Sequence, residues 1–375
     1  MSATVSVRPP VPIPPRIVLE TIKRRRSSEV FPRPKTAPTT TVNVAIAMDN
    51  NYIAHSAAMM LSAMDTIDRS ATIRFFVLTN KTVSNNDRKL LSALVSKGGC
   101  QVDFFDVDFS AFAWAPLNHE HISVVAYYRL ILHKLLSSEV ERVIYIDSDT
   151  IIVDSLLKLW NIDCSESPVA ACPDEEGLTH SADLSLPSSH RYFNSGAMIF
   201  DLRSLRLSNV LDSAEEIYRS RREEIRFEDQ DLLNIIFCGK VRYLPLKWNI
   251  NNRLFAYAKD TASYDEREAF EAVSDPGIIH FTCRIKPWHA NCANPLRGLY
   301  WYYRNKTVWR EYPREYYSRI AADYVRTKFS RTRRQLNTWY RHVEANSVSE
   351  IAVRGIHARS ASGGGNVGPA VAKAR

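Results

Sequence analysis

The sequence predicts an α/β fold with a doubly wound sheet. From Thr41 onward, apolar runs of strand length alternate with helical segments, the pattern of folds that cover a mostly parallel sheet with helices on both faces. Carboxylates follow two of the predicted strands: Asp49 comes after the first, and Asp147 and Asp149 come after a later one. Sheets of this class bind ligands beyond the carboxyl ends of their strands. We therefore expect the functional site at that edge.

The first half of the chain carries the regular part of this alternation. A helix of small and apolar residues follows the first strand, and the next helix ends at the Gly-Gly pair of residues 98–99, because glycine commonly terminates helices. The predicted strands are Thr41–Met48, Thr72–Thr79, Gln101–Val107 and Val143–Ile146. The predicted helices are His55–Ile67, Ser84–Ser96 and Tyr127–Leu136.

The second half of the chain is less regular. Ser204–Arg222 has the pattern of an amphipathic helix, and Asp229–Phe237 opens with carboxylates in the first turn, where the helix dipole favours them. The predicted strands are Val169–Cys172, Tyr192–Leu202, Val241–Leu244 and Gly277–Phe281.

The composition is that of an ordinary globular protein. The 375 residues are 45% hydrophobic and 24% charged, close to typical values. The six cysteines include no CxxC pair, so we expect reduced thiols. No window approaches the ~18 consecutive apolar residues of a membrane span, and prolines interrupt the first apolar stretch where a signal peptide would lie. The sequence therefore predicts a cytoplasmic protein.

The net charge of +8 is unevenly distributed. Residues 1–40 carry eight basic and two acidic side chains and many prolines, so we expect a disordered basic arm. Residues 346–375 contain a Gly-Gly-Gly run and are expected to form a flexible tail. A catalytic body flanked by ends that bind a surface would have this distribution of charge.

Basic and aromatic residues alternate in the region 296–345, which we expect to be helical. Residues 301–341 hold eleven basic against three acidic side chains, and tryptophan and tyrosine among them are typical of segments that lie on an anionic membrane surface. A helix pair packed on the body of the protein is the alternative. No nucleic-acid-binding motif accompanies this stretch, so nucleic acid is not an expected partner.

The segment Asp147-Ser148-Asp149 raises the question of how two adjacent carboxylates are tolerated. They repel each other unless they are protonated, hydrogen-bonded or bridged by a cation. A hard divalent ion such as Mg²⁺ or Mn²⁺ would offset the repulsion, and His280, at the end of another predicted strand, is the candidate third ligand. Imidazole beside carboxylates favours Mn²⁺. Turn and capping roles for the aspartates, and a core position for His280, are the structural alternatives.

Phosphatases of the haloacid-dehalogenase type also carry two aspartates after an apolar strand, in the pattern DxDx[TV]. Here the threonine comes one position early, at Thr150, and three predicted strands precede the motif, whereas those enzymes place it on their first strand. A metal-dependent phosphatase is therefore a weaker hypothesis.

Six segments in co-linear order extend the pattern: VAIAMDNNY (44–52), HISVVAYYRL (121–130), IDSDT (146–150), YFNSGAMIFDL (192–202), EDQDLLN (228–234) and IIHFTCRIKPWH (278–289). Together they resemble glycosyltransferase family 8, and most closely its bacterial lipopolysaccharide and lipooligosaccharide galactosyl- and glucosyltransferases. The resemblance implies a GT-A catalytic domain over residues 41–295, with a Rossmann-like mixed sheet. It also implies a UDP-sugar donor, a glycan or glycolipid acceptor, Mn²⁺, retention of anomeric configuration, and work at the inner face of the membrane.

The resemblance also implies roles for individual residues. Those that match the Mn²⁺ ligands are Asp147, Asp149 and His280. Those that match the contacts to uracil and ribose are Ala47, Asp49 and Asn51. Lys286 matches the contact to the donor phosphates. Those that match the contacts to the sugar hydroxyls are Arg129, Asp149, Asn194 and Asp229.

Gln230 matches the residue at the β-face of the anomeric carbon. An amide is a poor nucleophile, which favours front-face substitution, in which the acceptor attacks from the side that UDP leaves. Asp229 is the nearest carboxylate in sequence that could instead support double displacement. Both mechanisms remain open at this stage.

The chain departs from the family pattern at Cys283. The family places glycine there, where the backbone approaches the donor phosphates, and a Cβ and sulfur would weaken that approach. A non-catalytic protein that binds nucleotide sugars is therefore the alternative to a hexosyltransferase that uses UDP-galactose or UDP-glucose.

Overall fold

The computed structural model describes residues 40–119, 123–252, 254, 264–289, 291–292 and 294–310. Its strands are β1 Thr40–Ala47, β2 Ala71–Thr79, β3 Gln101–Asp106, β4 Arg142–Ile146, β5 Thr150–Ile152, β6 Val169–Pro173, β7 Phe193–Asp201, β8 Val241–Tyr243 and β9 Ile278–His280.

Both α-helices and short 3₁₀ helices connect these strands. The α-helices are α1 Ile53–Thr66, α2 Asn85–Lys97, α3 Leu132–Leu135, α4 Leu156–Trp160, α5 Gly177–Asp183, α6 Leu202–Arg206, α7 Val210–Arg221, α8 Glu228–Ile236, α9 Glu266–Ser274 and α10 Arg297–Arg304. The 3₁₀ helices are Asn50–Tyr52, Phe109–Phe112, Val124–Ile131 and Leu246–Trp248.

Seven strands form one mixed sheet in the order β3-β2-β1-β4-β7-β6-β8. Strands β1 to β4 are parallel to one another, β7 runs antiparallel to both β4 and β6, and β8 is parallel to β6. A separate antiparallel pair joins β5 to β9. The predicted α/β class and mixed sheet are confirmed.

Both faces of this sheet are covered, as the strand sequences require. In β1, Val44 and Ile46 belong to an apolar cluster that includes α1, whereas Ala45 and Ala47 belong to a second cluster on the other face. All four side chains are buried. Because successive side chains of a strand point to opposite faces, an unbroken apolar run such as this one is the pattern of a strand with helices on both sides.

Two predicted helices differ from the structure. The segment predicted as a helix over Tyr127–Leu136 is a 3₁₀ helix from Val124 to Ile131 that continues into the short α3. Residues 127–131 are all buried, so this part of the segment packs within the core. The predicted helix Ser204–Arg222 is divided into α6 and α7 by a turn at the exposed Leu207. Helices α4, α5 and α9 were not predicted.

The predicted C-terminal region is described only as far as residue 310. Helix α10 begins it, and its Tyr300 and Tyr303 are buried against the body of the protein. Tyr303 donates a hydrogen bond to Asp65 on α1 at 2.9 Å, so these aromatic residues support the fold. The predicted arm up to residue 39, the basic stretch 311–345 and the tail 346–375 lie outside the described residues. Within the described ranges, none of the helices is long and apolar enough to cross a bilayer.

Candidate active site

A cavity of about 360 Å³ lies beyond the carboxyl ends of β1 and β4. These strands are neighbours in the sheet although β2 and β3 separate them in the chain, so the strand order switches between them. Asn51 is the one predicted site residue outside the lining; it is exposed, and its backbone N–H donates to Asp49 Oδ1 at 2.9 Å. The predicted residues that line the cavity are Ala47, Asp49, Arg129, Asp147, Asp149, Asn194, Asp229, Gln230, His280 and Lys286.

Asp147, Asp149 and His280 converge at this cavity, with one potential ligand atom from each lying within 4.8 Å of the others. His280 Nε2 is 3.3 Å from Asp149 Oδ1 and 4.0 Å from Asp147 Oδ2. The pairing of β5 with β9 brings them together, because it sets Thr150 opposite His280. The structure therefore brings together the three side chains that the sequence singles out as candidate metal ligands.

The donor set of this cluster fits a hard divalent cation, which carboxylate oxygens and an imidazole nitrogen bind well. Each carboxylate has one oxygen directed towards His280, because its other oxygen is held by a cationic side chain. Arg129 Nη2 donates to Asp147 Oδ1 at 2.9 Å, and Lys286 Nζ donates to Asp149 Oδ2 at 2.5 Å. The three side chains can therefore hold a divalent metal ion.

Lys286 places a buried positive charge in the wall of the cavity. Its side chain is 9% exposed and also donates to the carbonyl oxygen of Phe281 at 3.0 Å. Burial would raise the pKa of Asp149, but the charges of Lys286 and His280 outweigh it and hold that pKa well below its usual range. Asp149 is thus ionised at neutral pH, and the ammonium of Lys286 suits a phosphate group placed beside it.

Arg129 is a fixed positive charge between two carboxylates. Its side chain is 4% exposed, Nε donates to the carbonyl oxygen of Ala126 at 2.9 Å, and Nη1 donates to that of Ser195. Burial would lower the pKa of Arg129, but Asp147 and Asp229 raise it above its usual range. Each of the three guanidinium nitrogens therefore donates to the protein itself, and the predicted contact to sugar hydroxyls would use the remaining N–H groups.

Asp229 has a carboxyl group whose protonation changes near neutral pH. Burial raises the pKa of Asp229 to about 7; the charge of Arg129 opposes this rise, and that of Asp147 adds to it. Arg129 Nε lies 3.1 Å from Asp229 Oδ2, but its N–H is directed to the carbonyl oxygen of Ala126. The ion pair therefore lacks an aligned hydrogen bond, which explains why burial dominates.

The amide of Gln230 is held in one orientation at the cavity wall. Its Oε1 accepts a hydrogen bond from the backbone N–H of Ser195 at 3.0 Å, and its Nε2 donates to the hydroxyl of Tyr192 at 3.2 Å. A side chain with both polar ends engaged in this way can position a ligand but is not prepared to act as a nucleophile.

Several lining residues escaped prediction from the sequence: His119, Asp174, His180, Phe227 and Glu228. A signal existed for Asp174, which directly follows β6. Strand β6 runs in the same direction as β4, because both are antiparallel to β7. The rule that drew attention to Asp147, a carboxylate beyond the carboxyl end of a buried strand, therefore applies to Asp174 as well. No comparable pattern marks the others.

Two lining residues have backbone conformations that favour glycine. Cys283 has φ of +70° and is exposed, and Glu228 has φ of +40° and is buried. Glu228 accepts hydrogen bonds from the backbone N–H groups of Asn118 and His119, at 2.9 and 3.0 Å. Position 283 is where the family pattern predicts glycine, and its backbone keeps the conformation that glycine would adopt.

The sheet and the cluster at its switch point define a glycosyltransferase of the GT-A type. The galactosyltransferase LgtC, in complex with donor and acceptor sugar analogues, matches this structure with a TM-score of 0.65 and 25% identity, over 73% of this chain and 99% of LgtC. Residues 43–292 match the model of glycosyl transferase family 8, and the chain belongs to that family.

Two curated relatives indicate the range of this similarity. General stress protein A of Bacillus subtilis is 28% identical over 272 residues, which cover 72% of this chain and 94% of the relative. The lipopolysaccharide 1,2-glucosyltransferase of Escherichia coli is 21% identical over 273 residues, which cover 72% of this chain and 79% of the relative. The predicted family and fold are confirmed, and membership of this family speaks against the phosphatase hypothesis.

Proposed function

We propose that this protein transfers galactose or glucose from a UDP-sugar to a glycan acceptor of lipopolysaccharide type, with retention of anomeric configuration and with Mn²⁺ as cofactor. The observation that carries the proposal is the grouping of Asp147, Asp149 and His280 beside Lys286 at the switch point of the sheet. This arrangement supplies ligands for a divalent metal and a positive charge for a diphosphate in one cavity.

The side chains at this cavity would have distinct binding roles. Asp147, Asp149 and His280 would hold Mn²⁺, which when bound neutralises charge on the departing UDP and acts as a Lewis acid. Lys286 would bind the donor phosphates. The end of β1 would hold uracil and ribose through Ala47, Asp49 and Asn51. The sugar hydroxyls would be bound by Arg129, Asp149, Asn194 and Asp229.

Gln230 would lie at the β-face of the anomeric carbon. Its amide is held by Ser195 and Tyr192, which supports front-face substitution, in which a UDP oxygen takes the proton of the attacking hydroxyl. Asp229 is the carboxylate available for double displacement, but its raised pKa leaves part of the population protonated at neutral pH. A protonated carboxyl group is not a nucleophile, so we favour the front-face mechanism.

The donor and acceptor follow from the relatives. LgtC is a galactosyltransferase, and the relative from Escherichia coli is a lipopolysaccharide 1,2-glucosyltransferase. Galactose and glucose differ only at the C4 hydroxyl, so both remain candidate donor sugars. A lipid-linked acceptor also agrees with the proposed docking of the basic region 311–345 on the anionic inner face of the membrane.

UDP release tests the proposed reaction directly. The purified protein is assayed with UDP-galactose and UDP-glucose, each in Mn²⁺ and in EDTA, beside the variant Asp149→Ala. Release that requires Mn²⁺, and that falls at least about 100-fold in the variant, is the expected result. Asp103→Ala is the matched control, because Asp103 is a half-exposed carboxylate on β3, paired with Arg74 and outside the cavity. The faster substrate identifies the donor sugar.

Cosedimentation with lipid vesicles tests the proposal that the protein binds an anionic membrane. The full-length chain should sediment with vesicles that contain anionic phosphatidylglycerol and not with vesicles of phosphatidylcholine alone. Replacement of Arg331, Arg333 and Arg334 by serine should weaken the binding about 100-fold, because each basic residue near such a surface contributes about 1 kcal/mol. Equal sedimentation with both kinds of vesicle would reject the proposal.

A nucleotide-sugar-binding protein without turnover is the second candidate, and Cys283 is the observation that favours it. Its side chain lies in the cavity wall at a position with a glycine-like backbone. Mn²⁺-dependent binding of UDP without release from either UDP-sugar would support this candidate. Release that appears in Cys283→Gly would then attribute the loss of catalysis to this side chain.

A further inference from the structure

A buried amide holds the imidazole of His280 on the side away from the metal-binding cluster. His280 Nδ1 lies 2.9 Å from Asn249 Oδ1, and both residues are at most 5% exposed. A carbonyl oxygen can only accept a hydrogen bond. With this amide orientation, Nδ1 of a neutral His280 carries the proton, and Nε2 carries the lone pair.

The orientation of the Asn249 amide is itself determined by its neighbours. Its Nδ2 donates to Asn194 Oδ1 at 2.8 Å. That oxygen also accepts the backbone N–H of Gly196 at 2.9 Å, and Asn194 Nδ2 donates to the carboxylate of Asp174 at 3.0 Å. A backbone N–H can only donate and an ionised carboxylate can only accept, so the amide of Asn194 has one orientation.

The backbone N–H of Gly196 and the carboxylate of Asp174 therefore fix the orientation of the Asn194 amide, and the Asn194 amide in turn fixes that of Asn249. If the Asn249 amide were reversed, its carbonyl oxygen would face the oxygen of Asn194, and its NH₂ group would face His280 Nδ1. The reversed arrangement would lose the hydrogen bond to Asn194 and bring two oxygens together. It would also favour the opposite tautomer of His280, whose N–H would be directed at Asp149 Oδ1.

We propose that Asn249 is a positioning residue that holds His280 in the tautomer whose Nε2 lone pair faces Asp147 and Asp149. The proposal rests on the proposed function to the extent that the cluster binds a metal. Asn249 does not itself line the cavity, and among the contacts of the described residues its side chain meets two site residues, His280 and Asn194. Of these two, only His280 is a candidate metal ligand, so Asn249 would act on metal binding through His280.

The first measurement is the tautomer of His280 in the metal-free protein. Long-range ¹H–¹⁵N correlation spectra distinguish a protonated from an unprotonated ring nitrogen. We expect Nδ1 to be protonated, as its contact with Asn249 Oδ1 requires, with His280→Gln used to assign the signals. A spectrum with Nδ1 unprotonated would overturn the proposal without any variant of Asn249.

The second measurement uses a matched pair of buried asparagines. Asn249→Leu removes the acceptor for Nδ1, so we expect a mixture of tautomers and Mn²⁺ binding weakened by about 10–100-fold, measured from free Mn²⁺ by electron paramagnetic resonance. Asn251→Leu is the control, because Asn251 is equally buried and donates to Tyr264 at 3.1 Å, with no hydrogen bond to His280 within the described part of the chain. This control should leave both the tautomer and the metal affinity unchanged.

The outcomes separate this proposal from the proposed function. Unchanged His280 signals in Asn249→Leu, or equal effects of both substitutions, would reject the positioning role. The tautomer is measured without metal or sugar, so it does not depend on transferase activity. A wild-type protein with the expected tautomer that releases no UDP would contradict the proposed function and leave the positioning role intact.

Discussion

The imidazole of His280 lies against the Cα of Gly196, with no room for a side chain between them. A Cβ built on Gly196 would be 2.1 Å from His280 Cε1 and 2.8 Å from Asp147 Oδ2. Gly196 lies near the start of β7, and its carbonyl oxygen accepts the backbone N–H of Asp147 at 2.8 Å. The antiparallel pairing of β4 with β7 therefore brings a glycine to the point where two candidate metal ligands meet.

Gly196→Ala should strongly weaken metal binding while leaving the fold in place. The added methyl group must displace His280 or Asp147, since it would overlap both. We expect Mn²⁺ affinity to fall by about 100-fold or more, the upper end of the losses seen when neighbours of ligands are changed, and UDP release to fall with it. Titration calorimetry with Mn²⁺ measures the affinity, and circular dichroism verifies the fold.

Gly298→Ala is the matched control for this substitution. A Cβ at Gly298 would have no heavy atom within 4 Å, and the residue lies in α10, where alanine is the better helix former. Metal affinity should therefore be unchanged. A Gly196→Ala protein with normal Mn²⁺ affinity would show that the cluster is not the metal site.

Cys283→Gly should stabilise the protein and strengthen donor binding. A side chain at φ of +70° costs about 1–2 kcal/mol relative to glycine, although glycine also increases the entropy of the unfolded chain. We expect a net gain of up to about 1 kcal/mol in the free energy of unfolding, measured by urea titration. Removal of the sulfur from the cavity wall should also lower the Kd of UDP in Mn²⁺.

Gly239→Ala supplies the complementary measurement. Gly239 has φ of +72°, and a Cβ there would meet no heavy atom within 4 Å, so this variant isolates the conformational cost of a side chain. It should lose about as much stability as Cys283→Gly gains and should leave UDP binding unchanged. A Cys283→Gly protein less stable than the wild type would mean that contacts of the cysteine outweigh the backbone conformation.

The strands around the site could be predicted because their sequences carry the evidence locally. Strands β1 to β4 were located within one or two residues, since each is an apolar run flanked by polar residues. The 3₁₀ geometry of Val124–Ile131 could not be predicted, because an apolar run of eight residues is compatible with either an α-helix or a 3₁₀ helix. Short helices such as α4 have too few residues to show the hydrophobic periodicity of a helix.

The grouping of Asp147, Asp149 and His280 could be predicted for a related reason. Asp147 and Asp149 follow a buried strand, and His280 ends another, so elementary rules about sheet edges bring them together. Asn249 was missed because its role depends on tertiary structure. The bridge between Ile250 and Ile279 sets it beside His280, and no local pattern in the sequence predicts that bridge.

Asp229→Asn should stabilise the protein relative to the wild type at high pH. At low pH the two proteins should be equally stable. The pKa of Asp229 is raised to about 7 in the folded protein by burial, whereas it is about 3.9 in the unfolded chain. The folded state therefore loses stability as the pH rises from about 4 through 7. Asparagine cannot ionise, so the variant should gain up to about 4 kcal/mol over the wild type above pH 7 and nothing below pH 4.

Urea unfolding at pH 4.5 and at pH 8 measures this difference. Asp103→Asn is the control, because Asp103 is half-exposed and paired with Arg74 at the edge strand β3, and we expect no comparable gain there at pH 8. If Asp229→Asn were less stable than the wild type at pH 8, the ion pair with Arg129 would outweigh the cost of burial. Asp229 would then be ionised at neutral pH, and double displacement would regain support.

Tyr300→Phe should destabilise the protein and weaken donor binding together. The Tyr300 hydroxyl accepts a hydrogen bond from Arg304 Nη1 at 2.6 Å and lies 2.7 Å from His55 Nδ1. Burial and the charge of Arg304 lower the pKa of His55 to about 3, so the imidazole is neutral and Nδ1 accepts the hydroxyl proton. Phenylalanine would leave two buried polar groups without this partner, at a cost of about 1–3 kcal/mol.

The same substitution should reach the donor site through the loop that carries Lys286. Trp288 in that loop stacks on His55 with ring centroids 3.5 Å apart, so a displaced imidazole would shift the indole and, with it, the ammonium of Lys286. Tyr302→Phe is the matched control on the same helix, because the Tyr302 ring is 40% exposed. In the presence of Mn²⁺, UDP should bind several-fold more weakly to Tyr300→Phe than to the wild type. Its affinity for Tyr302→Phe should be that of the wild type. Loss of stability with unchanged UDP affinity would mean that α10 supports the fold without controlling the position of Lys286.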